Sequence, residues 1–129
     1  MRKQYHFRKV KNDTYIWDVD NLVTLTKQYK VKKIPLSDIK ELEEPYWYPD
    51  THPTTQEIIE HLQLIHEADL SYPIILCSQG RLMDGMHRVA KAKLLDKEGV
   101  LAVQFEMDPE PDFINVNEDD LIYDDKIIM

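Results

Sequence analysis

The sequence has little cysteine: Cys77 is the only one, so no intrachain disulfide can form, and a reducing compartment fits. It has no apolar run of membrane-spanning length, and its basic start, "MRKQYHFRKVKND", is not followed by the apolar stretch a secretory signal needs. The expectation is a cytoplasmic protein with no membrane partner. Positive charge is also not in excess. The formal net charge is −8, which argues against nucleic acid as the main partner. Internal repeats and low-complexity linkers are absent too, so one domain over 1–129 is expected.

What is present is ordinary for a globular chain, with 43% hydrophobic and 31% charged residues. At 129 residues such a chain buries roughly two-thirds of its unfolded surface. The charge is unevenly spread: residues 1–40 hold 10 Lys/Arg against 4 acids, and residues 106–129 hold 1 against 9. A basic N-terminal extension (1–17) and an acidic tail (108–129) can attract each other within one chain or between copies, or stay as two solvated ends. A protein partner and self-association both stay open on this basis.

The apolar pattern points to α+β, with helices flanking one small mixed sheet. Tyr5 and Phe7 alternate, "NDT" signals a turn and "YIW" (15–17) follows, which reads as a hairpin. Asp18 is placed to cap a helix over 19–29 carried by Leu22, Leu25 and Tyr29. "VKKIPL" (31–36) reads as a strand that Pro35 sends to an edge or an end, and Ser37 to cap a one-turn helix through Leu42. "EEPYWYPDTHPTT" (43–55) is irregular chain, a binding wall or a cover over the core. Thr54 or Thr55 opens a helix to Ala68 with Ile58, Ile59, Leu62 and Ile65 as its buried stripe and Glu57 in its first turn. "YPIILC" (72–77), "SQG" and "RLMD" (81–84) form a second hairpin. A helix from Met86 to Leu95 ends at Gly99, and "VLAVQFEM" (100–107) is a strand. The tail beyond "DPEPD" reads as surface chain with a last helical turn around Asp119–Tyr123.

One stretch, "MDGMHRVAKA" (83–92), departs from normal helix chemistry. It places His87 and Arg88 in a first turn, where unpaired amides and the helix dipole favour anions instead. Asp84-Gly85 leads from strand into helix, and glycine allows a positive φ or a close approach there. The amides of Gly85, Met86, His87 and Arg88 then face outward as an anion site. Arg88 can grip phosphate bidentately and His87 can donate a hydrogen bond. The competing assignment pairs Arg88 with Asp84, four residues back.

The segment 73–106, "PIILCSQGRLMDGMHRVAKAKLLDKEGVLAVQFE", preceded by "VKKIPLSDI" (31–39), resembles the ParB/sulfiredoxin-like superfamily. The resemblance covers a shared core of about 31–107. It implies that Gly85, His87 and Arg88 hold the phosphates of a nucleotide, which in that superfamily is ATP, ADP or CTP. The D-G-x-H-R form resembles the free serine kinases, which gives Asp84 a role toward Mg²⁺ or a substrate hydroxyl; helix capping competes with that role. Sulfiredoxins carry a nucleophilic cysteine where this chain has Met86, so their activity is not expected. Partition proteins continue into a DNA-binding region, and this chain turns acidic instead.

If phosphoryl transfer occurs, a carboxylate is needed near the phosphate. The candidates are Asp84, Glu43 and Glu57, with Glu41 and Glu44 beside Glu43. Glu57 and His61 share a helix face, with no second paired motif to complete a metal site. Trp47 and its neighbouring tyrosines are placed to stack on a ligand or to cover the sheet. The function expected is therefore binding of a nucleotide or other phosphorylated small molecule, with transfer or hydrolysis of phosphate as its catalytic form. The alternatives are a binding or regulatory module acting through a protein partner and, behind it, a nucleic-acid accessory protein.

Overall fold

The computed structural model describes residues 3–122, which form an α+β protein of three α-helices and two sheets. Two compact units divide it. One takes residues 3–28 and 108–122, and the other is Tyr29–Met107. The single small sheet expected from the sequence is thus two sheets, with strand order β1-β2-β7 in the first unit and β3-β6-β4-β5 in the second.

In the first unit, β1 (Tyr5–Val10) and β2 (Asp13–Asp18) form the expected antiparallel hairpin. The turn sits at Lys11 and Asn12, with Lys11 at φ 59°, so Asp13 and Thr14 of "NDT" already belong to β2. Asp18 caps α1 (Val19–Thr26) by accepting from the Asp20 amide. The helix ends before Tyr29, where Thr26 turns its hydroxyl back onto the Val23 carbonyl at 2.8 Å. The segment expected as surface chain after residue 107 instead supplies β7 (Phe113–Ile114), paired to β2. It is held by Trp17 Nε1 donating to the Pro109 carbonyl, by Asp112 accepting from the Asp18 amide and Asn21, and by the Arg8–Asp108 pair at 3.0 Å. The last helical turn is a 3-10 turn at Glu118–Asp120. Tyr123, expected within that turn, lies outside the described residues.

The second unit is built on a mixed sheet. β4 (Ile74–Leu76) and β6 (Gly99–Gln104) run parallel, while β3 (Lys32–Pro35) and β5 (Leu82–Asp84) are antiparallel edge strands. Pro35 ends an edge strand, as a residue without an N–H must. Two 3-10 turns, Leu36–Asp38 and Lys40–Glu43, follow it, and Pro35 rather than Ser37 precedes the first. The β4–β5 turn closes through Cys77 and Gly80, with Gly80 at φ 83°. Leu36, Ile39, Ile74, Leu76, Leu82, Met86, Val89, Ala92, Val100 and Ala102 make the core, over which α3 (Met86–Leu94) packs. Gly99 does not terminate that helix. Asp96 at φ 62° does, in a Schellman-type end where the Lys97 amide reaches the Ala92 carbonyl. Gly99 instead opens β6, where a side chain would collide with the Ile34 carbonyl of β3.

α2 (Thr55–Glu67) starts with a capping box in which Thr54 and Glu57 satisfy each other's backbone amides. Its apolar stripe is not buried as the periodicity implies. Ile58 is 54% exposed, Ile59 53% and Leu62 45%. Lys91 of α3 ties down the helix's C-terminal end through the His66 and Ala68 carbonyls. Among the described residues no helix is long and apolar enough to cross a membrane.

Candidate functional site

β5 passes into α3 through Gly85, whose φ of 113° lies in the region that L side chains rarely adopt. A Cβ there would stand 2.6 Å from Ile74 Cγ2, so packing and backbone both demand glycine. The Gly85 carbonyl accepts from the Arg88 and Val89 amides, each at 3.0 Å. No side chain caps the helix, which leaves the amides of Met86 and His87 ahead of its first internal bonds. The Met86 side chain is buried in the core, so its amide is what it can offer a ligand.

Arg88 does not reach outward. Its Nη2 meets Asp84 at 3.0 Å and the Pro73 carbonyl at 3.4 Å, which is the i,i+4 pairing weighed against the phosphate role. Its Nε is buried without a partner. Asp84 is therefore held by a cation and does not cap α3.

His87 turns toward α2. Its Nε2 lies 2.9 Å from His61 Nδ1, and Trp47 stacks on both rings at 4.2 Å for His61 and 4.7 Å for His87. Tyr48 meets His61 edge-on at 5.5 Å. Burial pushes His87 down to about 4, helped by its neighbour His61, which disfavours a second cation beside it, and by the Arg88 charge. Burial also lowers His61, opposed by Glu57 and Glu60. Both imidazoles are thus neutral at neutral pH, and the hydrogen bond between them needs one bare nitrogen. Twenty-six residues separate the two histidines, so no spacing rule joins them; the sequence signals were His61 on the α2 face and Trp47 in the proline-rich loop.

The carboxylate candidates do not converge. Glu57 is committed to the α2 cap, Glu43 is exposed and Glu44 pairs with Arg81 at 2.7 Å. Glu41 is the unexpected one, being only 2% exposed. Its Oε2 accepts from the Leu82 amide at 2.8 Å and from Arg81 at 3.1 Å, while its Oε1 is buried without a partner. Tyr46 is raised to about 12, first by burial and then by the charges of Glu41 and Asp84. Among the described residues no three His, Cys, Asp or Glu side chains gather as a metal site. Compared with protein-family models, curated proteins and solved structures, the chain matches none.

Proposed function

We propose that this protein binds a phosphorylated small molecule, a nucleotide in the first instance, at the Asp84–Arg88 junction. The observation that carries the reading is the uncapped start of α3, entered through a glycine where nothing larger fits. Open amides at such an end are anion ligands. The resemblance of 31–39 and 73–106 to the ParB/sulfiredoxin-like superfamily supports the same assignment and favours ATP, ADP or CTP. Mg²⁺ would enter with the nucleotide, with Asp84 as the carboxylate at the junction. The lone buried Cys77 fits a cytoplasmic setting.

Thermal unfolding across ATP, ADP, CTP and GTP, with and without Mg²⁺, tests this reading. A ligand at a hundredfold excess over its Kd stabilises by about 2.7 kcal/mol, so the wild type shifts upward with one of them and His87→Ala/Arg88→Ala does not. No shift with any nucleotide, or an equal shift in the variant, refutes the site. Release or transfer of phosphate makes the protein a hydrolase or phosphotransferase. Binding without turnover favours a regulatory module, for which the half-exposed Ile58, Ile59 and Leu62 of α2 offer a surface to a protein partner.

A further inference from the structure

Between Lys40 and Arg81 the chain holds eight acidic residues and no Lys or Arg. The same segment builds an open pocket of about 320 Å³ whose accessible lining is wholly apolar, walled chiefly by Trp47, Tyr48, Pro53, Ile58, Leu62 and Ile65. Ile58, Leu62 and Ile65 stand at i, i+4 and i+7 on α2 and so form a row roughly 10 Å long, of which Ile58 and Leu62 are left about half exposed. We propose that this face docks an amphipathic helix of a partner protein, one that sets apolar side chains into the pocket and Lys or Arg around it. The proposal gives the partner surface on α2 its chemistry, and it stands whether or not phosphate binds at the junction.

Charge decides the occupant. Glu41 and Glu44 are taken by Arg81, and Asp69 lies beyond the C-terminal end of α2, where it accepts from Ser71 and where Lys91 of α3 also docks. Glu43, Asp50, Glu57, Glu60 and Glu67 have no ion-pair partner among the described residues. Glu57 and Glu60 stand close enough to the pocket for their charges to act on both Tyr48 and His61, after the desolvation of each ring. A second copy presenting the same face would set acid against acid, and nucleic acid or an anionic bilayer meets the same repulsion. A cationic helix is attracted instead, and its apolar stripe covers Ile58 and Leu62 in the way helix-in-groove complexes are built. Trp47 is fixed before a partner arrives, because it stacks on His61 at 4.2 Å and on His87 at 4.7 Å, so little ordering of this wall opposes binding.

The test uses the full chain, without nucleotide, and a synthetic helical peptide of leucine and lysine with its leucines on one face. Two control peptides share its length: one has glutamate in place of lysine, and one has the leucines scattered around the helix. Backbone amide shifts and Trp fluorescence during titration give the site and the Kd. The leucine–lysine peptide should bind, move the amides of 47–53 and 58–65, outbind both controls and weaken as salt rises from about 0.1 M to about 1 M. Leu62→Gln, at an exposed position, should weaken it by roughly tenfold, and Glu60→Lys by roughly fivefold. Glu98→Lys, the same charge change beyond the C-terminal end of α3, should leave the affinity as it is. The proposal is overturned if the peptide does not bind, if either control binds as well, if the moved amides lie elsewhere, or if Leu62→Gln or Glu60→Lys leaves the affinity intact. A chain that sediments alone as a dimer, and as a monomer once Leu62→Gln is made, would also overturn it by giving this face to a second copy.

Discussion

Gly85 shows most clearly how one residue positions this site. Its φ of 113° and the 2.6 Å approach a Cβ would make to Ile74 penalise any side chain twice. Gly85→Ala should lower the unfolding free energy by about 1–3 kcal/mol, read as a fall in urea midpoint at unchanged slope. The glycine was legible because a strand cannot enter a helix this sharply without one. The directions of His87 and Arg88 were not legible, because each was decided by a partner: Arg88 by Asp84, and His87 by His61 and Trp47.

The histidines make a second prediction at this scale. His87 falls from an ordinary 6.5 to about 4, and so does His6 in the first unit, through burial and then the Arg8 charge. The unfolded chain binds these protons between pH 6.5 and 4 and the folded chain does not. Stability is therefore full above pH 6.5 and falls as the solution is acidified toward 4. Urea midpoints at pH 7 and pH 5 should differ in that direction, and His87→Gln should make the slope shallower. An unchanged slope in the variant would mean that His87 is not held neutral.

Among the elements, α2 departs furthest from its sequence pattern. Its ends follow local rules, with Thr54 and Glu57 closing the capping box as residues three apart can. Its apolar face does not follow the rule that a stripe is buried, since periodicity shows which residues share a face and not what lies opposite. The contrast can be measured with one substitution at two places. Leu82→Ala, in the β5 core at 2% exposure, should cost about 2–5 kcal/mol. Leu62→Ala on α2, at 45% exposure, should cost less than about 1 kcal/mol. Comparable costs would place α2 in a more buried setting.

At the scale of the whole chain, the division into two units changes the meaning of both ends. The segment after Met107 supplies β7 and the partners of Trp17, Asp18 and Arg8. Truncation after Met107 should therefore strip hydrogen-exchange protection from the β2 amides bonded to β7 and Asp112, while those of β4 and β6 keep theirs. Loss of protection in both sets would make the two units one cooperative body. Composition left the basic head and the acidic tail either to attract each other or to stay as solvated ends, and the Arg8–Asp108 pair at 3.0 Å joins one residue of each.

By itself the sequence determined the hairpins, the three helices, the glycine junction and that Pro35 puts β3 at an edge or ends it. Each rests on interactions within a few residues: alternation, capping, a turn, a missing N–H. It determined neither the second sheet nor the site's side-chain geometry. β7 is two residues long and exposed, too short for a periodic signal, and it exists because β2, about a hundred residues earlier, offers it an edge. Glu41, the His61–His87 pair and the stacked Trp47 likewise owe their placement to contacts between segments distant in sequence. Those contacts form only where the packed sheet and helices bring the segments together, so only the tertiary structure could decide them.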